Sequence, residues 1–250
     1  YMVQFMFPKL KEYFGLGVDQ GGILIDFIIP DGGPYQFGLR KDDILIEIDS
    51  HPVDNYGDIH FKPLGQRVYF SEILNRKKVG DDLGVKVVRN HKTIEIKGAI
   101  PQGLPKLVPK IFTTANYFIF GGVGFVELTT NCIENMGKSG EVFQYRYQNE
   151  FPRRPREKIV IISEIFPEYG LTDTSGFLDR VKRVGDDEIV NLANLYKILE
   201  DRRTAGDSMA LIELSGNMRL PIDLKNAAEL DSQIKSKYGI LYMKTPNGFH

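Results

Sequence analysis

Cysteine and tryptophan are nearly missing from this sequence of 250 residues, which contains one cysteine, Cys132, and no tryptophan. A single cysteine excludes an internal disulfide bond, although it says little about the compartment, because many extracytoplasmic proteins also lack disulfides. Long apolar runs are missing as well: none approaches the ~20 residues of a membrane-spanning helix, and no secretory signal is visible. Lysine and arginine (32) nearly balance aspartate and glutamate (33), so no strong positive field favours nucleic acid as a partner.

The groups that catalysis needs are also missing from the arrangements in which enzymes use them. The four histidines, His51, His60, His91 and His250, lie in turn-like, polar or terminal segments, and none pairs with a suitable serine. The string nearest to a serine-protease nucleophile motif is Gly137–Glu141, which reads Gly-Lys-Ser-Gly-Glu and is interpreted as a turn. No Cys/His cluster has metal-ligand spacing, and no phosphate-binding Gly-Lys-Ser/Thr motif follows a strand. The sequence therefore predicts a chain that is not an enzyme and needs no metal or cofactor.

What the sequence does contain is an ordered set of elements between residues 21 and 53. The run Ile23–Ile29 is apolar and β-branched, which predicts a buried strand that a proline ends. Four turn formers follow at Asp31–Pro34, and then Tyr35–Gly38 predicts one helical turn that ends in glycine. The period-2 alternation of Ile44–Ile48 predicts a second strand with one buried face.

This order of strand, Pro-turn, helical turn, Asp-Asp and strand resembles the PDZ domains of HtrA/Deg (protease Do-like) serine proteases. The likeness extends along Gly38–Leu45, which reads Gly-Leu-Arg-Lys-Asp-Asp-Ile-Leu. The run Tyr117–Thr129 resembles the Tyr-rich strand and the loop that open the second PDZ domain of plant-type Deg proteases. The resemblance covers most of the chain, from about Phe14 to its end.

An internal repeat favours two copies of one module. The segment 179–189 resembles the segment 43–53, because apolar residues stand at equivalent positions in both. Each copy also follows a predicted strand that ends at a proline. The expected fold is mainly β with α (α+β): two PDZ domains, each a small, partly open β-sandwich or barrel flanked by helices. The expected domains are a linker from an absent protease domain (1–12), a first PDZ domain (13–103), and a connector strand with a second PDZ domain and C-terminal helix (104–245).

The resemblance implies a carboxylate-binding loop at Leu16, Gly17 and Val18, which match the family's apolar-Gly-apolar pattern before a strand. The chemistry fits those residue types, because glycine lets consecutive amides converge on one carboxylate while its apolar neighbours form a side-chain pocket. Family members carry a longer segment between this loop and the strand, whereas here Gln20 meets Gly21 directly. Either the loop is trimmed or residues are missing at that point.

The resemblance also implies a helix that walls the peptide groove. Phe70, Ile73 and Leu74 are spaced i, i+3 and i+4, so they share one helical face, which can equally pack on the core. A second groove is possible in the second domain. Its candidate residues are Gly121, Gly122, Val123, Leu195, Ile198 and Leu199. The doubled glycine departs from the apolar-Gly-apolar pattern, which favours a second domain that assembles subunits and binds no peptide.

The function implied by the resemblance is that of a peptide-binding and regulatory PDZ tandem of a serine endopeptidase in protein quality control. Its expected partners are unfolded or C-terminal peptide segments, its own protease domain, and further copies in a trimer-based oligomer. The alternatives are an oligomer-assembly module and a free-standing PDZ adaptor without a proteolytic role. The compartment stays open: the periplasm or another extracytoplasmic space if bacterial, an organelle or the nucleus if plant-like.

Overall fold

The structure is a computed structural model that describes residues 1–111, 114–147, 150–174, 179–246 and 248–249. The chain divides into two compact units, Tyr1–Pro105 and Lys106–His250. Among the described residues, no helix has the length and apolar character needed to cross a lipid bilayer.

The first unit contains a six-stranded antiparallel sheet flanked by short helices. Its elements are β1 (Met2–Phe5), α1 (Pro8–Phe14), β2 (Ile23–Phe27), α2 (Gly33–Phe37), β3 (Ile44–Ile48), β4 (His51–Pro52), β5 (Asp58–Phe61), a 3-10 turn (Lys62–Leu64), β6 (Gln66–Tyr69), α3 (Ser71–Asn75), β7 (Asp82–Arg89) and β8 (Lys92–Ala99). The strand order is β1-β2-β3-β7-β8, with β4 paired to β3 and with β5 and β6 forming a separate hairpin. Because β1 is the first strand in this order, it forms an edge of the sheet.

Alternation along the strands divides the apolar residues of the first unit between two faces of the sheet. Ile23 and Leu45 belong to a buried cluster that contains Phe70, the residue at the N-cap of α3. Their sequence neighbours Leu24 and Ile44 belong to a second cluster, beneath α1. Successive side chains of a strand point to opposite faces, so these two clusters cover opposite faces of the sheet.

The second unit contains two antiparallel sheets. Its elements are β9 (Tyr117–Phe120), β10 (Val123–Glu127), α4 (Thr130–Asn135), α5 (Lys138–Tyr147), β11 (Val160–Ile165), a 3-10 turn (Pro167–Tyr169), β12 (Val181–Val184), β13 (Asp187–Glu188), α6 (Leu192–Ala205), β14 (Met209–Leu214), β15 (Arg219–Asp223) and α7 (Ala227–Tyr238). The strand orders are β11-β10-β9 and β13-β12-β14-β15. One core cluster contains residues of both sheets and of α6.

The predicted fold class is confirmed: antiparallel sheets combine with helices, and no sheet of the described residues closes into a barrel. Residues 1–12, expected to form a linker, contain β1 and most of α1, and β1 pairs along its whole length with β2. Pro8, which reads as a break in the sequence, is the first residue of α1, where a missing amide hydrogen costs nothing.

Candidate functional site

An apolar cleft lies in the first unit between the edge strand β1 and helix α3. The cavity has a volume of about 290 Å³. Val3 of β1 lines one side, Phe70 and Leu74 line the other, and Ile25 and Leu45 of the neighbouring strands contribute to its lining. A cavity of this size and character accepts one or two apolar side chains.

The lining of the cleft includes an aromatic and a basic group. The ring of Tyr1 packs against that of Phe70, with 6.3 Å between the ring centroids. Burial, with a smaller contribution from Tyr69, raises the pKa of the Tyr1 phenol, so Tyr1 is neutral at physiological pH. Lys77 also lines the cleft, and its Nζ lies 2.7 Å from Oδ2 of Asp49.

The outer edge of β1 offers backbone groups next to this cleft. Ile25 donates its amide to the carbonyl of Asp43 and accepts from the amide of Asp42, both at 2.8 Å, so it bonds towards β3. Its partner on β1 is Val3, while the adjacent pair is Gln4 with Leu24. Because bonded and non-bonded pairs alternate in an antiparallel ladder, the amides of Val3 and Phe5 point away from β2. No strand of residues 1–105 pairs with that edge, so within its own unit β1 is open to another strand.

The structure places the predicted carboxylate loop elsewhere. Gly15 adopts φ 70° and closes the C-terminus of α1, and the amide of Leu16 donates to the carbonyl of Lys11 at 2.9 Å. Leu16 is buried in the cluster beneath α1, while Val18 is 89% exposed. The residues 16–18 thus form the hydrophobic C-cap of a helix, on the sheet face opposite Phe70. The amide of Leu16 is already bonded, and none of the three residues lines the cleft.

The predicted helix residues divide between core and cleft. Phe70 and Ile73 are buried in the core cluster of the first unit, and Leu74 packs against it. Phe70 and Leu74 also line the cleft. The groove wall and the packing face, weighed as alternatives in the sequence, are therefore the same surface. What the sequence reading missed is β1, whose alternation over four residues is too short to separate it from the start of a linker.

The candidate residues of the second groove come together around β9. Gly121 and Gly122 form the tight turn from β9 into β10, with φ of 57° and 78°. Val123, Leu195 and Leu199 are fully buried in the core cluster, and Ile198 packs against it. The same cluster contains two aromatic side chains of β9, Phe118 and Phe120.

A carboxylate lies at that turn. The amide of Gly122 donates to Oδ1 of Asp231 on α7 at 3.0 Å. Burial raises the pKa of Asp231, while the amides of Gly122 and Gly121 and the charge of Arg203 lower it by less. Nothing in the local sequence signals this contact, because Asp231 stands 109 residues after Gly122.

Comparison with known proteins now identifies the fold. A family model described as PDZ domain matches residues 109–246, more than half of the chain. The chain belongs to the PDZ domain family. Its sequence also aligns with HtrA/Deg-type proteases over most of its length, which confirms the resemblance found in the sequence.

Two curated relatives and one solved structure show the extent of the similarity to HtrA/Deg-type proteases. The mitochondrial protease Do-like 3 of Arabidopsis thaliana is 31% identical over 90% of this chain and 39% of its own length. The serine protease DegP homolog of Plasmodium falciparum is 24% identical over 84% of this chain and 24% of its own length. The chain thus spans two fifths or less of these relatives. A solved structure of the HtrA-type protease AlgW with a decapeptide is 21% identical over 41% of this chain and 28% of that chain, with a TM-score of 0.30, too low to carry an argument.

Proposed function

We propose that the first unit captures an extended peptide as an added strand on β1, with an apolar side chain of that peptide in the cleft beside α3. The observation that carries this proposal is the combination, in one place, of an open strand edge and an apolar cavity. Main-chain hydrogen bonds along the edge would provide affinity for any extended chain, and the cavity would select an apolar residue. The unit would thereby present unfolded or C-terminal segments to an HtrA/Deg-type serine endopeptidase in protein quality control.

The expected affinity follows from the size of the site. Three net backbone hydrogen bonds contribute about 0.5–1.5 kcal/mol each, and one buried apolar side chain contributes about 1.5–3 kcal/mol. Association costs several kcal/mol, but part of that cost is offset because the strand edge and cavity are already formed. Because those contributions total less than about 8 kcal/mol even before the association cost, we expect binding weaker than micromolar, which would need about −8 kcal/mol. Weak binding suits the capture of many sequences.

Blocking the strand edge should weaken peptide binding. The substitution Phe5→Pro removes one outward amide and introduces a ring at the edge, while the ladder to β2 keeps its bonds. We expect the dissociation constant for an extended apolar peptide, measured by fluorescence anisotropy, to rise about tenfold, which corresponds to the loss of one hydrogen bond. Phe5→Ala is the matched control, because it removes the same exposed ring and retains the amide. Equal affinities of the two variants would contradict strand addition on β1.

Enlarging the cavity should weaken the selection of the apolar side chain. Leu74→Ala removes a side chain that lines the cleft and is only partly buried in the core. We expect affinity for a peptide with one leucine to fall about tenfold, and affinity for the same peptide with alanine to change little. The exposed Leu104, which does not line the cleft, provides the control variant Leu104→Ala. If Leu74→Ala weakened both peptides equally, the cavity would not be the selective element.

A second candidate function is subunit assembly by the second unit. The observation that favours it is that Phe118 and Phe120 of β9 are buried in the core cluster of the second unit. Sedimentation velocity of this chain should then show a concentration-dependent oligomer. A strict monomer at high concentration would count against the assembly role and leave peptide capture by the first unit untouched.

A further inference from the structure

The two units share one order of elements, and this order identifies which parts of the second unit correspond to the cleft of the first. In the first unit the order is β1, helix, β2, turn, β3, β4, α3, β7 and β8, apart from the extra hairpin β5–β6. In the second unit β10, helices, β11, turn, β12, β13, α6, β14 and β15 follow in the same sequence. Strand β10 therefore corresponds to β1, and α6 corresponds to α3. Strand β9 precedes this series and has no counterpart in the first unit.

Strand β9 lies where an added peptide strand would lie. It pairs antiparallel with β10 along all four of its residues, on the side of β10 away from β11. On β1, the corresponding side is the open edge described above. The chain of β9 ends at the turn leading into β10, so its direction is that of a ligand whose C-terminus approaches the start of the first strand.

The side chains of β9 fill the space that is empty beside β1. Phe118 is fully buried, with its ring centroid 4.9 Å from that of Phe125 on β10 and 5.2 Å from that of Tyr196 on α6. Phe120 is 4% exposed in the same core. The strand and helix that flank Phe118 are those that correspond to the two walls of the first unit's cavity.

The outer edge of β9 is covered in turn by residues near the end of the chain. The amide of Ile119 donates to the carbonyl of Met243 at 2.7 Å, and that of Thr245 donates to the carbonyl of Tyr117 at 2.9 Å. Phe118 and Lys244 form an antiparallel bridge between these bonds. The edge at β9 is therefore paired, and a further strand finds no free amides between Tyr117 and Ile119.

A carboxylate of the chain itself lies at the end of β9, where the carboxylate of a bound peptide would be expected. Asp231 accepts the amide of Gly122, in the turn that leads into the strand corresponding to β1. We propose that the peptide cleft of the second unit is occupied in cis: β9 serves as the bound strand, Phe118 and Phe120 fill the side-chain pocket, and Asp231 takes the amide that would otherwise face a ligand carboxylate. This unit then captures no peptide in its resting state, and its natural ligand class is an aromatic-x-aromatic strand, as in Phe118-Ile119-Phe120. The inference concerns the second unit alone and does not depend on capture by the first.

The test uses the whole chain and a synthetic peptide with the sequence of β9, Asn-Tyr-Phe-Ile-Phe, which has a free carboxylate and an N-terminal benzophenone. In the unmodified chain we expect the amide of Ile119 to exchange at least a hundredfold more slowly than exposed loop amides, and irradiation to leave α6 unlabelled. Phe118→Ala empties the pocket, and we expect it to raise labelling of α6 at least tenfold. Tyr117→Ala is the matched control, because Tyr117 is a neighbouring aromatic of the same strand outside the core cluster.

Three results would overturn the proposal: labelling of α6 in the unmodified chain, loop-like exchange of Ile119, or a folded Phe118→Ala chain that gains no label. If Phe118→Ala prevents folding of the second unit, the unmodified chain decides alone: label on α6 overturns the proposal, and absence of label together with slow exchange of Ile119 supports it. Labelling confined to the first unit would support peptide capture there, so the two proposals can fail separately.

Discussion

Replacing Phe118 by alanine is expected to lower the free energy of unfolding of the second unit by about 3–5 kcal/mol. The ring is fully buried and contacts aromatic rings on both β10 and α6, so its removal leaves a cavity that the surrounding sheet and helix cannot close. Strand β10 and helix α6 both lose the aromatic ring that each of them contacts. The chain has no tryptophan, so unfolding is best followed by hydrogen exchange in denaturant, which reports the two units separately.

The neighbouring residue supplies the comparison for this result. Tyr117 lies on the same strand but outside the core cluster, and its hydroxyl donates to the carbonyl of Tyr242 at 3.0 Å. Tyr117→Ala should therefore lower the stability of the second unit by only about 1 kcal/mol, the usual net contribution of one such hydrogen bond. A loss below about 1 kcal/mol for Phe118→Ala would mean that this ring does not fill a specific pocket.

Local patterns predicted the centre of each unit well, because strands and turns there are specified by neighbouring residues. The run expected as Ile23–Ile29 forms β2 at Ile23–Phe27, and Ile44–Ile48 forms β3 at the expected residues. The turn glycine Gly38 has φ 109° at the end of α2, as its place after a helical turn indicates. Where periodicity and turn chemistry agree, the sequence suffices.

The candidate binding residues are harder to place from the sequence, because their positions depend on partners that are distant in sequence. A glycine between apolar residues suits both a carboxylate loop and the end of a helix, and in the structure the amide of Leu16 donates to the carbonyl of Lys11 at the end of α1. Strand β1 has four residues, and the strand with which it pairs, β2, lies beyond α1. Gly122 was singled out as a loop residue, but its carboxylate partner, Asp231, comes from the final helix. Such long-range contacts leave no local signal.

The second large effect is expected at the buried ion pair of the first unit. Asp43 is fully buried and accepts two hydrogen bonds from Arg89, Nε to Oδ1 at 2.6 Å and Nη2 to Oδ2 at 2.7 Å. It also accepts the amide of Arg40 at 2.8 Å, which fixes the turn before β3. The bond to Asp43 raises the pKa of Arg89. The pair thus joins β7 to the turn that begins the Asp-Asp-Ile-Leu motif.

Arg89→Ala leaves the carboxylate of Asp43 buried without its main partner, and we expect the first unit to lose about 3 kcal/mol of unfolding free energy, the lower end for a broken buried pair because Arg89 is itself partly exposed. Arg89→Lys should recover only part of this loss, since lysine cannot form the bidentate contact.

Lys86→Ala is the control: it removes a cation from the same strand whose ion pair with Glu47 lies at the surface, and it should leave the unfolding curve nearly unchanged. Chemical denaturation followed by hydrogen exchange measures all three variants. Equal stabilities of Arg89→Ala and Lys86→Ala would show that Asp43 reaches water when its partner is removed, and that the turn does not depend on the pair.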